Sequence, residues 1–333
     1  MMALLVSVVI MAYNRKRYLP DAINSVLSQT ISPVEVEVIV IKNFTDVYID
    51  NLCVKRNIKN IVMEGTIGEY IARGIIESSG KLIAFLDDDD LFSVEKLEHL
   101  KKYREEYGCD FIRNDYMEID NQGNLLDGRV MKKMHLNWSL DSNRYLNSEG
   151  MNAGDIRGLL KMSMDFNLST MAITKDLGLR IIKEMEIIEA CPDGALFFLS
   201  LNAAESLLFV KDKLSLYRIH SSKSQEYRSF HNFLINSVRD GKAQIESLKK
   251  ILPFLYKAPV VKTFNEMLDV RYIRISALSP NDENSRFITV NVIRSIVSLN
   301  RYAMLWTVLL FTSKILHYIP LKILFIMIGG RNQ

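Results

Sequence analysis

The stretch Lys81-Leu-Ile-Ala-Phe-Leu-Asp-Asp-Asp-Asp-Leu-Phe92 constrains the fold more than any other part of the chain. Leu82 to Leu86 is an apolar run of strand length without polar alternation, so it belongs in a sheet covered on both faces. It stops at four consecutive carboxylates, Asp87 to Asp90. Open α/β sheets bind ligands in the crevice outside the carboxyl ends of their strands, which is where these acids fall. Adjacent acids repel one another unless positive charge joins them. A hard divalent cation, Mg2+ or Mn2+, holding substrate phosphates is one answer. A solvated acidic turn leading into a helix is the other, because Ser93 reads as an N-cap and Glu95 as a first-turn acid.

The preceding residues alternate strand and helix. Leu4 to Met11 reads as a central strand followed by a polar turn, Ala12 to Arg15, and Leu19 to Gln29 has helical periodicity. Val34 to Ile41 and Ile58 to Met63 read as strands, and Ile67 to Ser78 as a helix ending near Gly80. Such alternation calls for a parallel sheet with right-handed crossovers. Beyond Cys109, Phe111 to Ile119 reads as a strand and Asp120 to Asn124 as a turn. Arg129 to Gly154 reads as a long loop over a cleft. Asn167 to Thr174, Leu207 to Val210 and Leu214 to His220 read as strands, and Ala195 to Ala204 as a helix. After Ser221 the period turns helical through Phe230 to Lys250, Val260 to Leu278 and Asn284 to Leu299. A chain of 333 residues is long for one domain, and the expected boundary lies near Ser224, with an α/β unit over residues 1–224 and a helical region over 225–333.

Composition removes several classes. With 48% hydrophobic and 24% charged residues, the chain is neither disordered nor a polytopic membrane protein. A net charge of +3, with no basic run interleaved with aromatics, gives no footprint for nucleic acid. Cys53, Cys109 and Cys191 have no paired spacing, which argues against disulfides and zinc and for a reducing compartment. Met1 to Ala12 lacks a basic n-region and reads as the first strand, not as a signal peptide.

Five pieces then fall in a recognisable order: Val8-Val-Ile-Met-Ala-Tyr-Asn-Arg15 before an amphipathic helix; Gly68-Glu-Tyr-Ile-Ala-Arg-Gly74; Phe85-Leu-Asp-Asp-Asp-Asp90; Pro192-Asp193 before an apolar helix; and Leu216-Tyr-Arg-Ile-His220. Together they resemble the family 2 glycosyltransferases of the A-type fold over residues 4 to 222. The resemblance implies a GT-A type α/β fold: a Rossmann-like mixed sheet flanked by helices, followed here by an α-helical C-terminal region. It further implies a metal-dependent, inverting enzyme moving a sugar from a nucleotide-diphosphate donor to an acceptor hydroxyl, with Mn2+ or Mg2+ as cofactor.

By the same resemblance, Asp89 and His220 hold the metal, although a histidine at a strand end is equally read as structural. Ala12, Tyr13, Asn14, Arg15, Asn43, Arg73, Asp87 and Asp88 face the nucleotide sugar, with Asp87 on the ribose side and Asp90 supporting from behind. Arg73 is otherwise a solvated helix arginine. Asp193 is the general base for the acceptor hydroxyl, with Glu189 in reserve; the alternative for Asp193 is a helix N-cap. Three departures stand out. Ile41-Lys-Asn-Phe-Thr45 has Lys42 where many relatives carry an Asp that contacts the base, so base recognition does not carry over; Asp46 lies just beyond. Pro192 replaces a Glu, and Gly74 stands where the family often has Asn.

Beyond Glu283 there is no acid, while Arg286, Arg294, Arg301, Lys314, Lys322 and Arg331 supply positive charge. Ala303 to Phe311 and Leu321 to Ile328 are strongly apolar, with Trp306 and Tyr318 as interfacial anchors. Lys314, His317, Pro320 and Lys322 interrupt them, so a helical element lying in the cytosolic leaflet over residues 303–328 fits better than a span. The alternative is a buried helix on the catalytic domain or on a second subunit of an oligomer. A membrane seat suits a glycan or lipid-linked acceptor and a cytoplasmic protein associated with the cytosolic face. The rival readings are a nucleotidyltransferase, for which Ala12 to Arg15 supplies no glycine-rich phosphate loop, and a catalytically silent sugar-binding or scaffold protein.

Overall fold

The structure is a computed structural model that describes residues 5–126, 140–219 and 230–279. Its centre is a nine-stranded mixed sheet. The strands are β1 (Val6–Ala12), β2 (Val36–Lys42), β3 (Lys59–Val62), β4 (Leu82–Asp87), β5 (Leu91–Phe92), β6 (Phe111–Ile119), β7 (Arg144–Asn147), β8 (Met171–Thr174) and β9 (Ser206–Arg218). Their order is β3-β2-β1-β4-β8-β6-β9-β5, with β7 on β9. The β3-β2-β1-β4 half is parallel, and β8 enters antiparallel between β4 and β6. The fold is therefore the expected α/β class with a mixed sheet.

The strands are apolar on both faces because helices cover both. Val9, Met11, Ile39, Ile83 and Phe85 face one core, while Val8, Ile10, Val40, Ala84 and Leu86 face the other. The helices are α1 (Leu19–Leu27), α2 (Val47–Lys55), α3 (Ile67–Glu77), α4 (Lys96–Tyr107), α5 (Ala153–Lys161), α6 (Lys175–Glu186), α7 (Pro192–Ala203), α8 (Phe230–Lys249) and α9 (Ala258–Leu278). Helix α3 opens with a capping box of Thr66 and Glu69. Its two glycines permit close approach: a Cβ on Gly74 would lie 2.4 Å from Val9 Cγ1, and one on Gly68 would lie 2.1 Å from the Met185 carbonyl oxygen. A larger residue at 74 has no room, which explains the departure from Asn. Ile245, Leu248, Val260, Phe264, Leu268 and Ile275 of α8 and α9 belong to the same core cluster as β4 and α7.

Several expectations are revised. Ser93 is not an N-cap: its N–H donates to the Leu214 carbonyl, its carbonyl accepts from Lys96, and α4 begins at Lys96 after Glu95 without a side-chain cap. Pairing with β9 thus claims the residue that would have capped. The two strand ends read at 207–210 and 214–220 are one strand, β9, and Asn167 to Thr174 is a 3-10 turn, Leu168–Thr170, before β8. The segment read as one long loop contains β7 and the start of α5, and helix α6 is an element that the sequence reading lacked. The expected boundary near 224, His220 and the apolar segment 303–328 lie outside the described residues. Among the described residues, no helix is long and apolar enough to cross a membrane.

Candidate active site

The four acids emerge where β4 ends between β1 and β8. The Asp87 N–H donates to Ser169 Oγ at 3.0 Å, and the Asp88 N–H to the Met11 carbonyl at 3.2 Å, so β1 on one side and the turn before β8 on the other fix the run. The Asp90 N–H closes back on the Asp87 carbonyl at 3.2 Å. This tight turn brings one carboxylate oxygen from each of Asp87, Asp89 and Asp90 within 4.8 Å of one another. Asp88 points instead to Arg15, whose guanidinium forks onto both Asp88 oxygens, with Nε at 3.2 Å, and onto Asp89. Burial pushes Asp88 up to about 7 against the pull of Arg15, and Asp89 and Asp90 add to the rise.

Arg218 secures the turn from behind. Its Nε donates to the Asp89 carbonyl at 2.8 Å, its N–H donates to Asp90 Oδ1 at 3.0 Å, and its guanidinium lies 4.4 Å from the centre of the Tyr18 ring. At 2% exposure Arg218 supports the acids instead of meeting a ligand.

The turn Asn167 to Thr170 links this cluster to Asp193. Ser169 Oγ receives the Asp87 N–H, and the Asn167 N–H donates to Asp193 Oδ2 at 3.1 Å. Asn167 adopts φ +69° and caps the turn by accepting the Ser169 N–H at 2.8 Å. Fully buried Lys96 holds it from below, donating to the Ser169 carbonyl and to Ser215 Oγ with its ammonium 3.8 Å from the centre of the Phe92 ring. Burial drives the Lys96 pKa well below its ordinary value. Asp193 is the second residue of α7, after Cys191 and Pro192, and its Oδ1 accepts the Gly194 N–H at 2.9 Å. Beside Asn167, Phe166 and Tyr217 meet edge to face at 5.2 Å between ring centres.

At the ends of β1 and β2 the amides of Asn14 and Asn43 pair. The Asn14 N–H donates to Asn43 Oδ1 at 2.8 Å, and Asn43 Nδ2 donates to Asn14 Oδ1 at 2.9 Å. This reciprocal bond joins the loop Ala12 to Arg15 to the β2 loop, with Asn14 at φ +54°. Tyr13 is 52% exposed, its ring 6.2 Å from that of Tyr70.

Lys42 has a structural position: fully buried, it ion-pairs with Asp50 at 2.8 Å and donates to the Phe44 carbonyl at 2.6 Å. Asp46 caps α2 through the Tyr48 and Ile49 N–H groups and meets Lys16 at 3.3 Å. The structure brings Arg15, Asp87, Asp88, Asp89 and Asp90 together, and Asn14 with Asn43. Arg73 is not brought to them; it pairs with Glu77 one turn on, at 2.7 Å. Exposed Glu189 pairs with Lys250 at 2.7 Å.

Asp87, Asp89 and Asp90 fit a hard divalent cation, because each offers a carboxylate oxygen within 4.8 Å of the other two. Sequence reasoning missed Ser169, Asn167 and Lys96. Asn167 and Ser169 come from far along the chain, Lys96 acts through distant Ser169 and Ser215, and none stands in a local pattern that marks it.

Three comparisons bear on this arrangement. Residues 7–165 match the model of the family described as Glycosyl transferase family 2. Among curated relatives, an uncharacterized glycosyltransferase of Rickettsia bellii is 41% identical over 127 residues, covering 37% of this chain and 18% of that protein. A Bacillus subtilis protein named as a teichuronic acid biosynthesis glycosyltransferase, TuaG, is 32% identical over 129 residues, covering 37% of this chain and 51% of that one. The chain covers only 18–21% of the length of the first three curated relatives. Among solved structures, S. aureus TarS 1-349 in complex with UDP-GlcNAc superposes with a TM-score of 0.53 at 15% identity, covering 86% of this chain and 89% of that one. At that identity the likeness concerns the fold.

Proposed function

Starting from the family 2 glycosyltransferase domain that residues 7–165 match, we propose that the chain is a metal-dependent, inverting glycosyltransferase using a nucleotide-diphosphate sugar. The observation that carries this reading is the turn Asn167 to Thr170, which holds the acidic cluster through Asp87 and the candidate base Asp193 from opposite ends. A solvated acidic turn needs no such coupling to a second carboxylate. Asp87, Asp89 and Asp90 would hold the cation, and when bound it supplies a Lewis acid that offsets charge on the departing diphosphate. Arg15, already at the cluster, adds a planar cation suited to phosphate. Asp193 takes the proton of the acceptor hydroxyl as its oxygen bonds to the anomeric carbon and the bond from that carbon to the diphosphate breaks. Attack from the face opposite the diphosphate inverts the centre.

The neighbour solved with UDP-GlcNAc makes UDP sugars the first donors to test. Buried Lys42 leaves base recognition to groups other than a β2 carboxylate. The acceptor we propose is a glycan hydroxyl, lipid-linked if the segment 303–328 meets the membrane. Thermal stability against UDP, GDP and CDP, with and without Mn2+, tests the donor side. A stabilisation by one nucleotide that requires Mn2+ and disappears in Asp89→Ala supports the reading. No stabilisation by any of them would favour a silent scaffold.

A further inference from the structure

Helices α8 and α9 follow the segment that carries Asp193 and grip it from the side. Ser247 Oγ of α8 accepts the N–H groups of Glu189 and Ala190, each at 3.0 Å. Arg271 of α9 reaches the next residue, with Nη2 3.4 Å from Cys191 Sγ. Cys191 is the N-cap of α7 and adopts φ +58°, ψ +53°, a left-handed conformation unfavourable for a residue with a side chain. Such a conformation persists only where its surroundings enforce it, and here they include two helices that follow α7 in the chain and share its core.

Arg271 is itself fixed. Its Nη1 donates to Gln244 Oε1 at 2.7 Å and its Nε to Met267 Sδ at 2.9 Å. A Cβ on Gly194 would lie 3.8 Å from Nη2, so the guanidinium sits against the first turn of α7. Burial opposes its charge, but the hydrogen bond to Cys191 and the carboxyl groups of Asp165 and Asp193 opposite it raise its pKa above the ordinary arginine value. Burial also pushes the Cys191 thiol up to about 12, so this sulfur is a neutral packing group.

We propose that Arg271, with Ser247, is a positioning residue for Asp193, so that the C-terminal helix pair is part of the catalytic apparatus. The proposal rests on Asp193 being the base. The side chains act on three consecutive residues, 189 to 191, immediately before Pro192 and Asp193. Without them the Cys191 turn relaxes toward an ordinary conformation and the α7 start re-aims.

The test uses the full chain with Mn2+ and UDP-GlcNAc, UDP-glucose and GDP-mannose, measuring release of nucleoside diphosphate by hydrolysis. Arg271→Gln should lower kcat about 10- to 100-fold, as expected for a misplaced catalytic group, with donor KM unchanged. Arg271→Lys should recover part of that loss. Gln244→Ala, which removes one anchor of Arg271 and strands no charge, should lower kcat in the same direction and decides the matter if Arg271→Gln fails to fold. Hydrogen exchange of residues 188–194 should quicken in each variant while that of 84–90 does not. Loss of kcat in Asp193→Asn alongside full kcat in Arg271→Gln or Gln244→Ala would overturn the proposal and leave the base assignment standing. Full kcat in Asp193→Asn, or no hydrolysis by the wild type, would overturn the underlying reading and this proposal with it.

Discussion

Arg15 occupies the acidic cluster in the chain without ligands, and its removal has effects of opposite sign on stability and on metal affinity. Arg15→Gln removes the guanidinium that pairs with Asp88 and Asp89, which are 2% and 5% exposed. Breaking a buried pair costs about 3–5 kcal/mol. The Arg15 side chain is 40% exposed, so solvent screens part of the pair and about 2 kcal/mol is the better figure. At about 2–4 °C per kcal/mol, the metal-free variant should melt roughly 4–8 °C below the wild type. A cation bound at Asp89 competes with Arg15 for the same oxygen, so the same 2 kcal/mol becomes a gain, roughly 30-fold in Mn2+ affinity. Nucleotide affinity at saturating Mn2+ should fall, because the diphosphate loses its cation. Melting curves without metal, calorimetric titration of Mn2+ alone, and titration of UDP at saturating Mn2+ measure the three quantities in turn. Equal or weaker Mn2+ binding by Arg15→Gln would refute the competition.

Asp88, with a pKa pushed up to about 7, gains negative charge as pH rises through neutrality, so Mn2+ affinity should climb between about pH 6 and pH 8 and then level off. Because this folded-state value lies above that of an unfolded carboxylate, the stability it contributes without metal is complete at acid pH and is lost as pH rises toward 7; a urea series at two pH values checks the sign. Ser169→Ala removes the acceptor of the Asp87 N–H and should cost about 1 kcal/mol, read as a Mn2+ affinity about fivefold weaker. Gly68→Ala drives a Cβ into the Met185 and Ile188 carbonyls, backbone atoms that cannot rotate away. It should cost about 3 kcal/mol, seen as a lower urea midpoint at unchanged slope.

The sequence made the β4 strand and its acids legible because a fully buried strand is a local signal, and Phe111–Ile119 matches its expected range. Strand β9 was less so. Lys211, Asp212 and Lys213 interrupt its apolar run, yet the chain stays extended because the β6–β9 register shifts beside Asp115. Helix α6 drew no reading from the sequence, and its Gly178 lets the helix approach Ile75 of α3, 3.0 Å from a notional Cβ. Within the site, Asp87 to Asp90 are contiguous and so could be seen. The contacts that orient them come from Ser169, Lys96 and Arg218, whose partners lie far along the chain. Lys42 could be seen as a departure, but its partner Asp50 became visible only when α2 packed beside β2.

The interleaving of strands limits how this protein can be divided or recombined. Strand β8 sits between β4 and β6, and β9 between β6 and β5. A fragment ending where the family match ends, at 165, would keep the acids but bare one edge of β4 and both edges of β6. Unpaired apolar edges of this kind seek other chains, so such a fragment would be expressed as aggregate. Any graft between relatives must therefore retain β8 and β9 of the 166–218 segment, because no cut at the match boundary leaves a closed sheet.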